Sequence, residues 1–380
     1  MPTPQIPVTL LTGFLGSGKT TVLNHLVQQP ALARTLVIIN EFGEVGLDHL
    51  LISRVADDTV VEMSSGCLCC TVRGDLVSTL KDAHWRFARA GERQFDRVVI
   101  ETTGLADPAP IIHTLTSVDV IARRYRLDGV VTTLDLTNAD QTLDAQPEAL
   151  KQAAMADCLL LTKADLAAPA AVAALERRLH AINPAARRRY ATNGVVAADA
   201  LLGLGLFDPS RKTPDVASWL NEEAYRHGSD AQAEHAHGDH DNQGQDHGHE
   251  HDHHGDAHDH AHDLNRHDDR IRAFCLVIDQ PLADSMLDAW LDLLLSMAGP
   301  DMLRIKGILS LRGRAAPVVI HGVQHIFHPP LELPAWPTDD RRSKMVFITR
   351  DIARETIEAS LAAFIDVWRE QSDNGGTPAP

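Results

Sequence analysis

Cysteine is scarce in this chain. There are five in 380 residues, and three of them fall within positions 67 to 70. That spacing does not make a disulfide framework, and it points to thiols kept reduced in cytosol. Long apolar runs are also absent. No stretch approaches the roughly 18 apolar residues of a membrane span, so no membrane partner is expected. The start, Met1 to Gln5, has neither a charged n-region nor an apolar h-region, which predicts no signal peptide and a cytoplasmic protein. Basic residues are outnumbered, with 35 Lys and Arg against 52 Asp and Glu and a formal charge of −17. Phosphate backbones need a basic surface, so nucleic acid is not an expected partner. The basic run Arg187 to Arg189 reads as a solvated edge between a helix and a strand.

Apolar residues make up 44% of the chain, enough for real cores, and its length suggests two domains. Residues 1–208 alternate short Val/Ile/Leu-rich runs with helical patterns. The runs are Val8–Thr12, Thr35–Asn40, Thr59–Met63, Arg97–Glu101, Gly129–Leu134 and Cys158–Thr162. Helices are expected at Thr20–Gln28, Leu76–Ala90 and Ala168–Ile182, the last ended by Asn183-Pro184. This alternation predicts an α/β fold with a doubly wound, mostly parallel sheet.

The pattern breaks near Ser210. Residues 209–269 read as a flexible linker, and from Tyr225 to Asp269 the composition is His, Asp, Gly, Ala and Gln, unable to bury a core. About two thirds of the excess negative charge sits there. Order resumes near Arg270. Strands are expected at Ala273–Ile278, Arg304–Leu311, Ala316–His321, Gln324–His328 and Met345–Ile348, with helices at Leu282–Met297 and Ile352–Trp368. Residues 270–370 thus form a small α+β domain, and 371–380 a disordered tail.

Gly13 to Thr20 reads GFLGSGKT, a G-x-x-x-x-G-K-[ST] motif placed after a strand and at the opening of a helix. Gly13, Gly16, Ser17, Gly18, Lys19, Thr20 and Thr21 are the expected phosphate site. The glycines let backbone N–H groups turn toward phosphate oxygens, Lys19 reaches the β- and γ-phosphates, and the Thr20 hydroxyl ligates Mg²⁺. A second acidic site follows a later strand in Glu101-Thr-Thr-Gly104. Glu101 is positioned to hold Mg²⁺ through water, and Gly104 N–H to sense the γ-phosphate. Thr162-Lys-Ala-Asp165 gives base choice. The Asp165 carboxylate accepts two hydrogen bonds from guanine, a donor pair adenine lacks, and Lys163 packs over the base. Other GTPases usually carry Asn where Thr162 stands, so weaker fixing of this loop is expected.

Gly66-Cys-Leu-Cys-Cys70 concentrates thiolates, which suit Zn²⁺, Co²⁺, Ni²⁺ and Cu⁺. Cys67, Cys69 and Cys70 together, or two of them with an outside ligand, make the candidate tight site. Asn40-Glu-Phe-Gly-Glu-Val-Gly46 sits where such GTPases carry a switch. Glu41 or Glu44 can meet Mg²⁺, position water or complete a metal site. His113 is a further candidate nitrogen ligand. The tract from His235 to His262 holds eleven histidines among carboxylates, including His247, His249, His251, His253 and His254. A flexible tract of this kind binds several ions weakly. The expected arginine-finger candidates, Arg73 and Arg123-Arg124, are weak, which predicts slow hydrolysis without a partner.

The strings GFLGSGKT, NEFGE, GCLCC, ETTGLADP and TKAD, in this order, resemble the CobW-type metallochaperone GTPases, in particular their YjiA-like branch. Met302–Gln324 and Lys344–Ile348 are similar to that family's C-terminal domain. The resemblance implies GTP hydrolysis to GDP and phosphate, and zinc, cobalt, nickel or iron bound at Cys67, Cys69 and Cys70. It implies metal transfer to a client protein coupled to nucleotide state. Two alternatives stay open on the residues alone. One is a His-rich metal buffer whose nucleotide site is only regulatory. The other is a small-molecule kinase, which Asp165 argues against. A monomer and a homodimer fit equally.

Overall fold

A computed structural model of the chain describes residues 5–40, 60–62, 71–89, 92–204, 225 and 270–373. In the first domain these form β1 (Ile6–Gly13), α1 (Lys19–Leu26), β2 (Thr35–Asn40), β3 (Val60–Glu62), α2 (Thr71–Arg86), β4 (Ala88–Arg89), β5 (Glu92–Arg93) and β6 (Arg97–Thr102). They continue as α3 (Ala109–Ser117), α4 (Asp119–Ala122), β7 (Tyr125–Asp135), α5 (Ala139–Ala145), α6 (Pro147–Met155), β8 (Cys158–Thr162), α7 (Pro169–Ile182) and β9 (Arg187–Ala191). The strands join in one seven-stranded sheet, ordered β3-β2-β6-β1-β7-β8-β9. Every pairing in it is parallel. β4 and β5 make a separate small hairpin.

Parallel strands need cover on both faces, and the sequence supplies it. β8 is buried at all five positions. One face packs on Leu76 and Leu80 of α2, Ile111 and Leu115 of α3, Leu150 of α6 and Leu179 of α7. The other packs on Val22, Leu23 and Leu26 of α1 and on Val196 and Leu201 after β9. Asn183 ends α7 with a purpose beyond stopping it. Its amide donates to the carbonyls of Ala153, Ala154 and Ala156, which closes the end of α6.

The second domain comprises β10 (Ile271–Ile278), α8 (Asp284–Ala298), β11 (Met302–Leu309), β12 (Val318–Val323), β13 (Ile326–Phe327), β14 (Leu331–Glu332), β15 (Ser343–Arg350) and α9 (Arg354–Asp373). Its sheet runs β10-β15-β11-β12-β13, with β14 added to β12, and its pairings are antiparallel. Strand alternation splits its apolar residues between two faces. Met345 and Phe347 join Trp290 and Ile357 beneath α8 and α9. Ile348, Ile271, Leu303 and Val323 point the other way and enter the core of the first domain. The two domains are therefore packed through a shared apolar cluster.

Two expectations are corrected. The strand expected at Gln324–His328 is present but shorter, because Gln324 takes a left-handed φ of 54° in the turn after β12 and β13 spans only Ile326–Phe327. Tyr225 opens the segment read as unable to bury a core, yet it is 3% exposed. It packs with Cys275, Ile308, Val319, Leu333 and Val346. One aromatic ring supplies the apolar surface that the His/Asp-rich sequence after it lacks. Among the described residues, no helix is long and apolar enough to cross a membrane.

Candidate functional site

In a parallel sheet all strands end at the same edge, and ligands gather there where the connections diverge. β1 is the central strand, and Gly13 closes it at φ 139°. A Cβ on Gly13 would lie 2.5 Å from the Thr133 carbonyl oxygen, so only glycine lets the loop leave the sheet here. Gly16 and Gly18 are left-handed, and α1 starts at Lys19. The Ser17 and Thr133 hydroxyls pair at 2.6 Å and pin the loop to β7. Lys19 is buried and folds back over the loop, donating to the Gly13 and Phe14 carbonyls at 3.0 and 3.2 Å. Its ammonium thus sits over the concavity that the motif builds for phosphate.

Glu101 stands beside Leu11 in the β1–β6 register and is 4% exposed. It accepts a hydrogen bond from the Thr20 hydroxyl at 2.8 Å. The two oxygen ligands expected for Mg²⁺ therefore converge at the start of α1, a donor set that suits a hard cation. Gly104 lies against the phosphate loop so closely that a Cβ on it would be 2.5 Å from Leu15 N. The loop Thr102–Pro108 is also tied down from its other side. Gln152 of α6 donates to the Gly104 and Ala106 carbonyls at 3.1 and 2.9 Å. Lys151 meets Asp107 at 2.5 Å, and Asp107 accepts the Ala109 N–H at the opening of α3.

Thr162 overturns the expectation of weak loop fixing. Its hydroxyl lies 2.8 Å from the Ser17 carbonyl and 3.2 Å from that of Leu134, so a threonine fastens the loop after β8 to the Gly13–Thr20 loop. Lys163 follows at φ 57°, a conformation rare for a side-chain-bearing residue and frequent at functional loops. Its ammonium pairs with Asp135 at 2.6 Å. Burial raises the Asp135 pKa, but hydrogen bonds from Lys163, Thr137 and Asn138 outweigh it and hold the carboxyl below its ordinary range. Asp165 is exposed in the same loop.

Glu41, Glu44, Cys67, Cys69, Cys70 and the histidines from 247 to 254 lie outside the described residues. The strands that lead to them do not. Asn40 ends β2 opposite Thr102, and Glu62 ends β3 beside β2. Both connections therefore leave from the edge that carries the phosphate loop. Three strand spacings separate β3 from β1, roughly 14 Å. The remaining cysteines take no part. Cys158 and Cys275 are buried, and burial pushes the Cys158 thiol up to about 12. Among the described residues, no group of three or more His, Cys, Asp or Glu side chains is placed to hold a metal. Arg123 and Arg124 lie far from this chain's own phosphate loop. The Arg124 carbonyl accepts Ile6 N–H at the start of β1, the end of the sheet away from Gly13.

Sequence reading missed Gln152 and Asp135. Gln152 occupies an apolar-face position of α6 among Ala149, Ala153 and Met155, and a polar residue at such a position was its signal. It also missed a buried polar knot between the domains. Asp157 accepts from Val130 N and Lys306 at 3.0 Å, and from Arg304, which bonds the Met155 carbonyl as well. Burial raises the Asp157 pKa, yet the Arg304 and Lys306 charges overcome it and keep the carboxyl far below its usual range. Burial, with the Arg304 charge next, lowers Lys306 to about 8 and His328 to about 4. His321 is lowered well below its ordinary value by the same causes, and it stacks on His328 with ring centroids 4.8 Å apart. The α6–β8 connection that carries Asp157 thus joins the loop at Gly104, through Gln152, to the second domain.

Residues 7–188 match the CobW/HypB/UreG nucleotide-binding domain, and residues 271–365 match the cobalamin synthesis protein CobW C-terminal domain. The chain belongs to the CobW family of P-loop GTPases. Over 94% of its length this CobW-family chain is 34% identical to the zinc chaperone YjiA of Escherichia coli, spanning 98% of that protein. It is 33% identical over 57% of its length to the zinc-regulated GTPase metalloprotein activator 1 of Dictyostelium discoideum, covering 52% of it. The crystal structure of Zn(II)-bound YjiA GTPase from E. coli superposes with a TM-score of 0.62 and 28% identity, over 95% of this chain and 99% of that one.

Proposed function

We propose that this chain hydrolyses GTP to hold and release a transition metal, zinc first, for a client protein. The observation that carries the reading is the strand order. The phosphate loop, the Thr102–Pro108 loop and the ends of β2 and β3 leave one edge of one sheet. The segments bearing Glu41 and Glu44 and bearing Cys67, Cys69 and Cys70 start from that edge. The names of the relatives, a zinc chaperone and a zinc-regulated activator, support the choice of metal and of a protein client.

In this reading GTP displaces Lys19 from the Gly13 and Phe14 carbonyls onto the β- and γ-phosphates. Thr20 and Glu101 would hold Mg²⁺, which when bound neutralises charge on those phosphates. Gly104 N–H meets the γ-phosphate, Asp165 reads the guanine edge, and Lys163 covers the base. Thiolates of Cys67, Cys69 and Cys70 bind the zinc cargo. Ordering of the two loops around the γ-phosphate changes the geometry offered to the metal, and hydrolysis relaxes it. The histidines from 247 to 254 act as a low-affinity reservoir.

The test is metal analysis of the full-length protein purified reduced with a non-hydrolysable GTP analogue. One tightly held zinc, lost on joint replacement of Cys67, Cys69 and Cys70 by serine, is expected. Lys19→Ala should abolish metal delivery to a zinc-dependent client. Delivery unaffected by Lys19→Ala would overturn the nucleotide-driven reading and leave a metal buffer.

A further inference from the structure

We infer that His113 and His325 form a second transition-metal site, one that bridges the two domains. His113 lies on α3 and His325 at the tip of the β12–β13 hairpin. Their ring centroids are 6.0 Å apart with planes inclined at 46°. Two imidazoles on one tetrahedral zinc, each with a Zn–N bond of about 2.0 Å, place their centroids roughly 5 Å apart. The observed separation exceeds this by about one ångström, a movement within reach of two rotatable side chains. His325 is exposed and His113 half-buried, so an ion reaches both from solvent.

The hairpin holds His325 there by design of its backbone. Gln324 turns the chain at φ 54°, and Gly299 makes the room. A Cβ on Gly299 would lie 3.0 Å from the His325 Cβ. The other close histidine pair, His321 with His328, is a poor alternative. It is buried beside the Arg304 and Lys306 cations, which repel a metal ion.

Two nitrogen ligands select Zn²⁺, Ni²⁺ or Co²⁺ over the hard Mg²⁺ and Ca²⁺. No third described side chain completes the set. The ion therefore keeps open positions for water or for an incoming ligand, as an exchanging site requires. Its position ties it to the nucleotide. α3 is the helix that follows the Thr102–Pro108 loop, whereas His325 belongs to the second domain. A shift of that loop between nucleotide states would open or close the pair. That transfer role rests on the function proposed above, and the site itself does not.

Histidine acylation by diethyl pyrocarbonate, read peptide by peptide by mass spectrometry on the full chain, separates these two residues from the tract. Zn²⁺ should slow modification of His113 and His325 several-fold over one shared concentration range, and Mg²⁺ should not. His325→Gln should remove the zinc protection at His113, and His113→Gln that at His325. Thermal melts of both variants identify any misfolding, and the paired protection in the unaltered chain decides the matter without them. Absence of zinc protection, or protection of one histidine that survives replacement of the other, overturns the site. Neither outcome bears on GTP hydrolysis or on the thiolates.

Discussion

Replacing Gln152 by methionine isolates the tie between the Gly104 loop and α6. Methionine keeps nearly the same volume, so packing loss is small. The side chain is 1% exposed, and its amide donates to two carbonyls, at Gly104 and at Ala106. Two neutral hydrogen bonds contribute about 1–3 kcal/mol together, or roughly 5- to 150-fold in an equilibrium constant. The Lys151–Asp107 pair remains and holds the far end of the loop. The loss should fall on the state in which Gly104 meets a γ-phosphate. Calorimetric titration of GDP and of a non-hydrolysable GTP analogue is the assay. GTP-analogue affinity should drop by that factor while GDP affinity stays within about twofold. Equal losses for both nucleotides, or no loss, would refute the reasoning.

Thr162→Val should act differently. It cuts the tie between Ser17 and the base loop, costs about 1–2 kcal/mol, and weakens GDP and GTP analogue alike in the same titration. Asp157→Asn leaves Arg304 and Lys306 buried without their anion, and chemical denaturation should show a loss of about 3–5 kcal/mol. Acid should loosen the same knot. His328 is held neutral by burial with a pKa lowered from 6.5 to about 4, so its contribution is complete above pH 6.5 and is lost as pH falls toward 4. That window is worth about 3 kcal/mol, and His328→Gln should flatten the fall in melting temperature across it.

The gathering of the candidate nucleotide residues at one sheet edge was legible because their motifs are local. Gly13 to Thr20, Glu101 and Asp165 each follow an apolar run, and a parallel sheet brings such strand ends to one edge whatever lies between. The strands of the second domain were legible as short apolar runs, as in Met345, Val346, Phe347 and Ile348, whose successive side chains divide between the two faces of the sheet. What escaped was long-range pairing of polar groups. Nothing near Gln152 announces Gly104, 48 residues away, and nothing near Asp157 announces Arg304, 147 residues away. Thr162 escaped for another reason. The expectation rested on the amide usually found there, whereas the geometry requires only one hydroxyl aimed at Ser17. Tyr225 shows the limit of composition, since its ring is buried although the sequence around it is mostly polar.

The central claim is that nucleotide state and metal affinity are linked, and linkage is reciprocal. Its most direct measurement is the zinc affinity of the full chain, reduced, with GDP and with a non-hydrolysable GTP analogue, using a chelator strong enough to empty the histidine tract. The account predicts that the analogue changes zinc affinity at least about fivefold, and that zinc changes analogue affinity by the same factor. Zinc affinity identical in the two nucleotide states would contradict it.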